Sequence, residues 1–76
     1  MTDARKTGAF IARKRKEAGL TQLELAEMLG VTNRAVSKWE TGAGLPDTAL
    51  LTRLADALAT TADALLAGGE TGTAPC

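Results

Sequence analysis

A chain of 76 residues with one cysteine and no histidine has room for one small domain and none for a second. Cys76 has no partner for an internal disulfide, and no zinc-ligand set can be assembled, so a reducing, cytoplasmic setting without metal or cofactor is expected. Net charge is zero, which on its face argues against an anionic partner.

The elements follow from start and stop signals in chain order. The opening MTDARKTGAF lacks the apolar core of a signal peptide, and residues 1–6 are expected to be a flexible lead-in. Thr7 is placed to cap a first helix reaching about Ala18, and Gly19 suits the left-handed position after it. The stretch 21-TQLE-24 has the form of a capping box, in which the Thr21 hydroxyl accepts from the amide of Glu24 while Glu24 reaches back. The second helix then turns Leu25, Ala26 and Leu29 inward and stops at Gly30. Thr32 caps a third helix that ends near Glu40, before the turn-and-loop stretch 41-TGAGLP-46. Asp47 caps a fourth, with Leu51, Leu54, Ala55 and Leu58 as an apolar stripe. Thr61 caps a brief fifth helix ending in Leu65 and Leu66, which suit the core and a dimer interface equally. Residues 68–76, GGETGTAPC, are expected to be a disordered tail. Arg53, Asp56 and Asp63 interrupt the Leu- and Ala-rich second half, so no segment is long and apolar enough to span a bilayer. No period-2 alternation survives, so the expected fold is all-α, with the ordered domain at residues 7–67.

The third helix has two unlike faces. At 3.6 residues per turn, Asn33, Ser37, Arg34 and Lys38 fall within an arc of about 140°. Ala35, Trp39 and Val36 fall within about 100° on the other side, and Trp39 is expected in the core. A polar face of this kind is ordinarily solvated surface. Its position changes the reading. An eight-residue helix, a three-residue turn beginning with Gly30 and a further eight-residue helix form a helix-turn-helix, with Val31 placed to plug the angle. The second helix of such a unit is the one that enters the DNA major groove. Arg and Lys can donate to guanine O6 and N7 there, and Asn can pair with adenine.

The stretch 19-GLTQLELAEMLGVTNRAVSKWETG-42, with 45-LPD-47 and 54-LADAL-58, closely resembles the Cro/XRE-type, lambda-repressor-like helix-turn-helix family over roughly residues 7–67. The resemblance implies a compact five-helix domain that binds duplex DNA, usually as a homodimer on a palindromic operator. It makes the chain a sequence-specific regulator of transcription, a repressor before an activator. Gln22 matches the glutamine that opens the second helix and touches the DNA backbone, and Thr32 matches the cap beside a phosphate. Asn33, Arg34 and Lys38 match positions that meet base edges, with Ser37 beside them. Arg15 and Glu40 match a structural ion pair, a charge-assisted bond that would fix the angle between two helices.

Three departures carry expectations of their own. Lys14 stands where an apolar residue is common, so its stem should lie along the core edge while its ammonium reaches for a phosphate. Ala59 stands where the link between the fourth and fifth helices commonly has glycine, so that turn should be either less tight or slightly strained. The isoelectric point of about 6.2 is low for a nucleic-acid binder, so binding should be weaker than usual for the family or dependent on dimerisation.

The charge distribution tempers the zero total. Arg5, Lys6, Arg13, Lys14, Arg15 and Lys16 crowd the first 20 positions, opposed there by Asp3 and Glu17 alone. Beyond residue 40 only Arg53 opposes Asp47, Asp56, Asp63 and Glu70. Arg13, Lys14 and Lys16 divide evenly between solvated surface and attraction of the duplex backbone. The alternative is a protein-interaction module on the same scaffold, such as an antitoxin or coactivator, for which the acidic second half leaves room. An enzyme is not expected. There is no histidine for acid–base work and no phosphate-binding glycine loop, and the single cysteine lies in the tail.

Overall fold

A computed structural model describes residues 4–67 of the chain. Its helices are α1 (Ala4–Glu17), α2 (Gln22–Leu29), α3 (Asn33–Thr41), α4 (Thr48–Ala57) and α5 (Ala62–Ala67), with no strand among the described residues. The all-α, five-helix expectation holds.

Local chemistry sets most of the boundaries. The Thr21 hydroxyl accepts from the Glu24 amide at 3.0 Å, and the Thr21 amide donates to Glu24 Oε1 at 2.9 Å, completing the capping box of α2. Thr32 accepts from the Ala35 amide, Asp47 from that of Leu50 and Thr61 from that of Ala64. Each satisfies one amide that the first turn of a helix leaves without an intrahelical partner.

At the other end of α2, Gly30 adopts φ 73°, a left-handed conformation open to glycine at little steric penalty. The Val31 amide then folds back to the Ala26 carbonyl at 2.9 Å, and half-buried Val31 packs against the core. The same closing bond after α4 runs from the Thr60 amide to the Ala55 carbonyl at 2.9 Å. There the left-handed residue is Ala59, at φ 57° the sole non-glycine with positive φ among the described residues. Of the two alternatives at this link, the turn is closed and its left-handed residue carries a Cβ, so the strained one is what the structure has.

The start of α1 departs from expectation. Ala4, Arg5 and Lys6 are helical, so three residues of the supposed flexible lead-in belong to α1. All three favour helix, and they carry the helix back past Thr7. Thr7 therefore does not cap. It is fully buried within α1, and its hydroxyl donates to the Leu66 carbonyl of α5 at 3.4 Å. Residues 1–3, and the tail 68–76 with Cys76, lie outside the described residues.

One core joins all five helices. Phe10 and Ile11 of α1 meet Leu25, Ala26 and Leu29 of α2, Val36 and Trp39 of α3, Leu51, Leu54 and Ala55 of α4 with Leu58 after it, and Ala64 and Leu65 of α5. Leu65 is fully buried and so belongs to the core, whereas Leu66 is 38% exposed. At this size the core is the main source of stability.

The closest packing lies between α1 and α3. A Cβ at Gly8 would overlap the Trp39 carbonyl oxygen and stand 2.9 Å from the Glu40 carbonyl. The last turn of α3 thus rests on the bare backbone of α1 at Gly8.

Candidate nucleic-acid interface

The site is built around α3, whose buried Val36 and Trp39 fix its rotation about its own axis. With those two inward, Asn33, Arg34 and Lys38 are exposed and Ser37 is half-buried. None of the four side chains makes a hydrogen bond or ion pair among the described residues. Four polar groups on one face are thus left for an outside partner. Thr32, also exposed, accepts from the Ala35 amide at 3.2 Å. Accepting does not use up its hydroxyl hydrogen, which can still be donated.

The remaining candidates are engaged within the protein. Arg15 Nε donates to Glu40 Oε2 at 2.6 Å and Arg15 Nη2 to Glu40 Oε1 at 3.2 Å, a two-pronged pair across α1 and α3. The Arg15 and Glu40 side chains are only 11% and 7% exposed. Arg15 Nη1 also donates to the Leu20 carbonyl at 2.8 Å, pinning the loop that leads into α2. Gln22 joins the same group, its Nε2 donating to Glu40 Oε1 at 2.9 Å. The family resemblance implies the Arg15–Glu40 pair but not Gln22 as its third member. No local signal marks that bond, which spans 18 positions.

On α1, Arg13 Nε donates to Glu17 Oε2 at 3.1 Å from a well-exposed position, and Lys14 Nζ stands 3.6 Å from Glu17 Oε1. The Lys14 side chain is largely covered, and its ammonium lies beside Glu17. The hydrogen bond from Arg13, aided by the positive charges of Lys14 and Arg13, holds the Glu17 carboxyl below its ordinary pKa. Arg13 and Lys14 therefore present their charge together with a carboxylate.

Gly8 is the other residue that sequence reasoning missed. A glycine inside a helix pattern carries no signal of which backbone it will meet. Among the described residues no cluster of His, Cys, Asp and Glu could hold a metal ion. No described helix is long and apolar enough to cross a membrane.

Comparison with known proteins agrees with this architecture. A family model described as Helix-turn-helix matches residues 11–65. The ImmF control region 10 kDa protein of Bacillus phage phi105 is 46% identical over 55 residues. That match covers 72% of this chain and 61% of the phage protein, so the chain spans less than two thirds of this relative. Among solved structures, the P22 c2 repressor in complex with a synthetic operator superposes with a TM-score of 0.79 at 37% identity. It covers 82% of this chain and 94% of the P22 chain. Hydroxypropylphosphonic acid epoxidase from S. wedmorenis superposes at TM-score 0.76 and 29% identity, over 86% of this chain but 35% of the enzyme. The chain belongs to the Cro/XRE-type helix-turn-helix family.

Proposed function

We propose that this chain is a sequence-specific, duplex-DNA-binding regulator of transcription, a repressor, that reads the major groove with residues 33–40. The observation that carries the reading is the outward face of α3, where Asn33, Arg34, Ser37 and Lys38 are unpaired among the described residues. Each belongs to a residue type that can hydrogen-bond a base edge. The operator complex named for the P22 c2 repressor supports the same use of this fold. Gln22 and Thr32 serve as backbone contacts at the starts of α2 and α3, and Arg13 and Lys14 add positive charge near phosphates. Arg15 and Glu40 hold the scaffold and touch no base. Two copies would set their third helices in successive major grooves about 34 Å apart, on a palindromic site. The protein acts in the cytoplasm as a binding protein, with no cofactor and no catalysis. The epoxidase match covers only about a third of that enzyme.

Selection from a randomised duplex library at near-physiological salt tests this. The expected result is enrichment of a two-fold-symmetric consensus. Absence of any enriched sequence, with a stoichiometric protein partner recovered instead, would contradict it.

A further inference from the structure

Glu40 has a second task besides pairing with Arg15. Its carboxylate is buried and takes three donors, two from Arg15 and one from the Gln22 amide. A carboxylate can only accept, so the nitrogen of the Gln22 amide must face it and the oxygen must face elsewhere. The amide nitrogen carries two hydrogens, and the group is planar. With one hydrogen donated to Glu40 across an Nε2–Oε1 distance of 2.9 Å, the nitrogen end of the amide is held on the Glu40 side and the swing of the second hydrogen is restricted. Arg15 anchors Glu40 in turn, and by its bond to the Leu20 carbonyl it holds the chain just ahead of α2.

We infer that Glu40 is a positioning residue for DNA binding: it orients the Gln22 side chain so that the second amide hydrogen is presented to a backbone phosphate. The inference rests on the DNA-binding reading above and extends it. A glutamine free to rotate presents its oxygen to the phosphate about as readily as its nitrogen, and two acceptors repel. Glu40 removes that alternative. It also ties the base of α3, which reads sequence, to the start of α2, which grips the backbone, so the two contacts keep one register.

The test is a double-mutant cycle on an operator obtained by selection, with R15M/E40L as one arm and Q22A as the other. Replacing both members of the ion pair by apolar residues of similar size leaves no buried charge alone and preserves net charge. Long-range attraction to DNA is therefore unchanged. Q22A alone is expected to weaken binding about fivefold on specific and random duplex alike. The slope against salt should not move, because a neutral amide releases no counterion. R15M/E40L is expected to produce a loss of similar size, and none beyond it once Gln22 is already alanine. Equal losses in both backgrounds would mean that the pair acts on α3 structurally, and would overturn the inference. If Q22A leaves affinity unchanged while wild type binds, the phosphate role of Gln22 fails and the inference with it, but the DNA-binding reading stands. A second measurement needs no variant. In the wild-type protein the two Gln22 side-chain amide protons should resonate apart from those of solvated amides and exchange slowly, whereas solvent-like shifts and fast exchange would overturn the inference.

Discussion

At the scale of single residues, the proposed function gives base reading to Arg34 on α3 and grip on the DNA backbone to Thr32 and Gln22 at the starts of α3 and α2. Arg34→Ala should lower discrimination at one base position by about 1–3 kcal/mol while lowering affinity for random duplex by less than for the consensus. A competition titration of consensus against single-base variants checks it. Ala59 is the clearest site of strain. It holds φ 57° where a Cβ is disfavoured, and the hydroxyl of the next residue, Thr60, is buried without a hydrogen-bond partner among the described residues. Ala59→Gly should raise unfolding stability by about 0.5–1 kcal/mol, relief of strain outweighing the added freedom of the unfolded chain. A lower denaturation midpoint would contradict this. Glu17 gives a pH dependence whose sign follows from its lowered pKa. A depressed carboxyl stabilises the fold above the unfolded pKa and loses that contribution as pH falls through the folded value. Glu17→Gln should therefore flatten the acid limb of the stability profile slightly, since solvent reaches about half of the side chain and screens the pair. The Ala59 position was legible because the family resemblance puts glycine there, whereas the Gln22–Glu40 bond joins two helices and was not.

At the scale of elements, α1 serves as the seat of α3. Gly8 lets the last turn of α3 lie on the α1 backbone, and Arg15 fastens Glu40 from two turns further along. A methyl at Gly8 meets carbonyl groups, which cannot swing aside as a flexible side chain can. Gly8→Ala should destabilise by about 3 kcal/mol or more, against the gain of up to about 1 kcal/mol that alanine brings to an unconstrained helix position. Thermal unfolding of the variant decides the sign. For a chain of this length a loss of that size is a large part of a total of about 4–11 kcal/mol. The starts of α2, α3, α4 and α5 were readable because a cap reaches only three residues forward. Thr7 misled for the complementary reason. A threonine ahead of an apolar run looks like a cap, but its hydroxyl bonds to a carbonyl 59 positions away, and residues 4–6 extend the helix. The inward roles of Phe10 and Ile11 likewise emerge only when the other four helices close over them.

At the scale of the whole molecule, zero net charge conceals an unequal distribution, basic toward the N-terminus and acidic beyond residue 40. Part of the basic end is already spent on Glu17 and Glu40. Arg34 and Lys38 remain as cations on the α3 face without a partner among the described residues. Few phosphates should then be neutralised per copy, so the logarithm of affinity should fall only gently with the logarithm of salt for one copy. Dimerisation would double that slope and align two α3 helices with one face of the duplex. The fold class and helix order were legible in the sequence because periodicity and caps are local, and the family resemblance supplied the DNA partner. How the helices seat on one another was not, because it depends on contacts between distant positions. The central claim is that α3 reads bases through Arg34 on a scaffold that holds it rigidly. The most direct measurement is the affinity of wild type and Arg34→Ala for the selected duplex and for each of its single-base variants, at one fixed salt concentration. The account predicts that the mutant loses discrimination at one position in each half-site and keeps it elsewhere. A uniform loss across all duplexes, random sequence included, would contradict it and reduce Arg34 to a backbone contact.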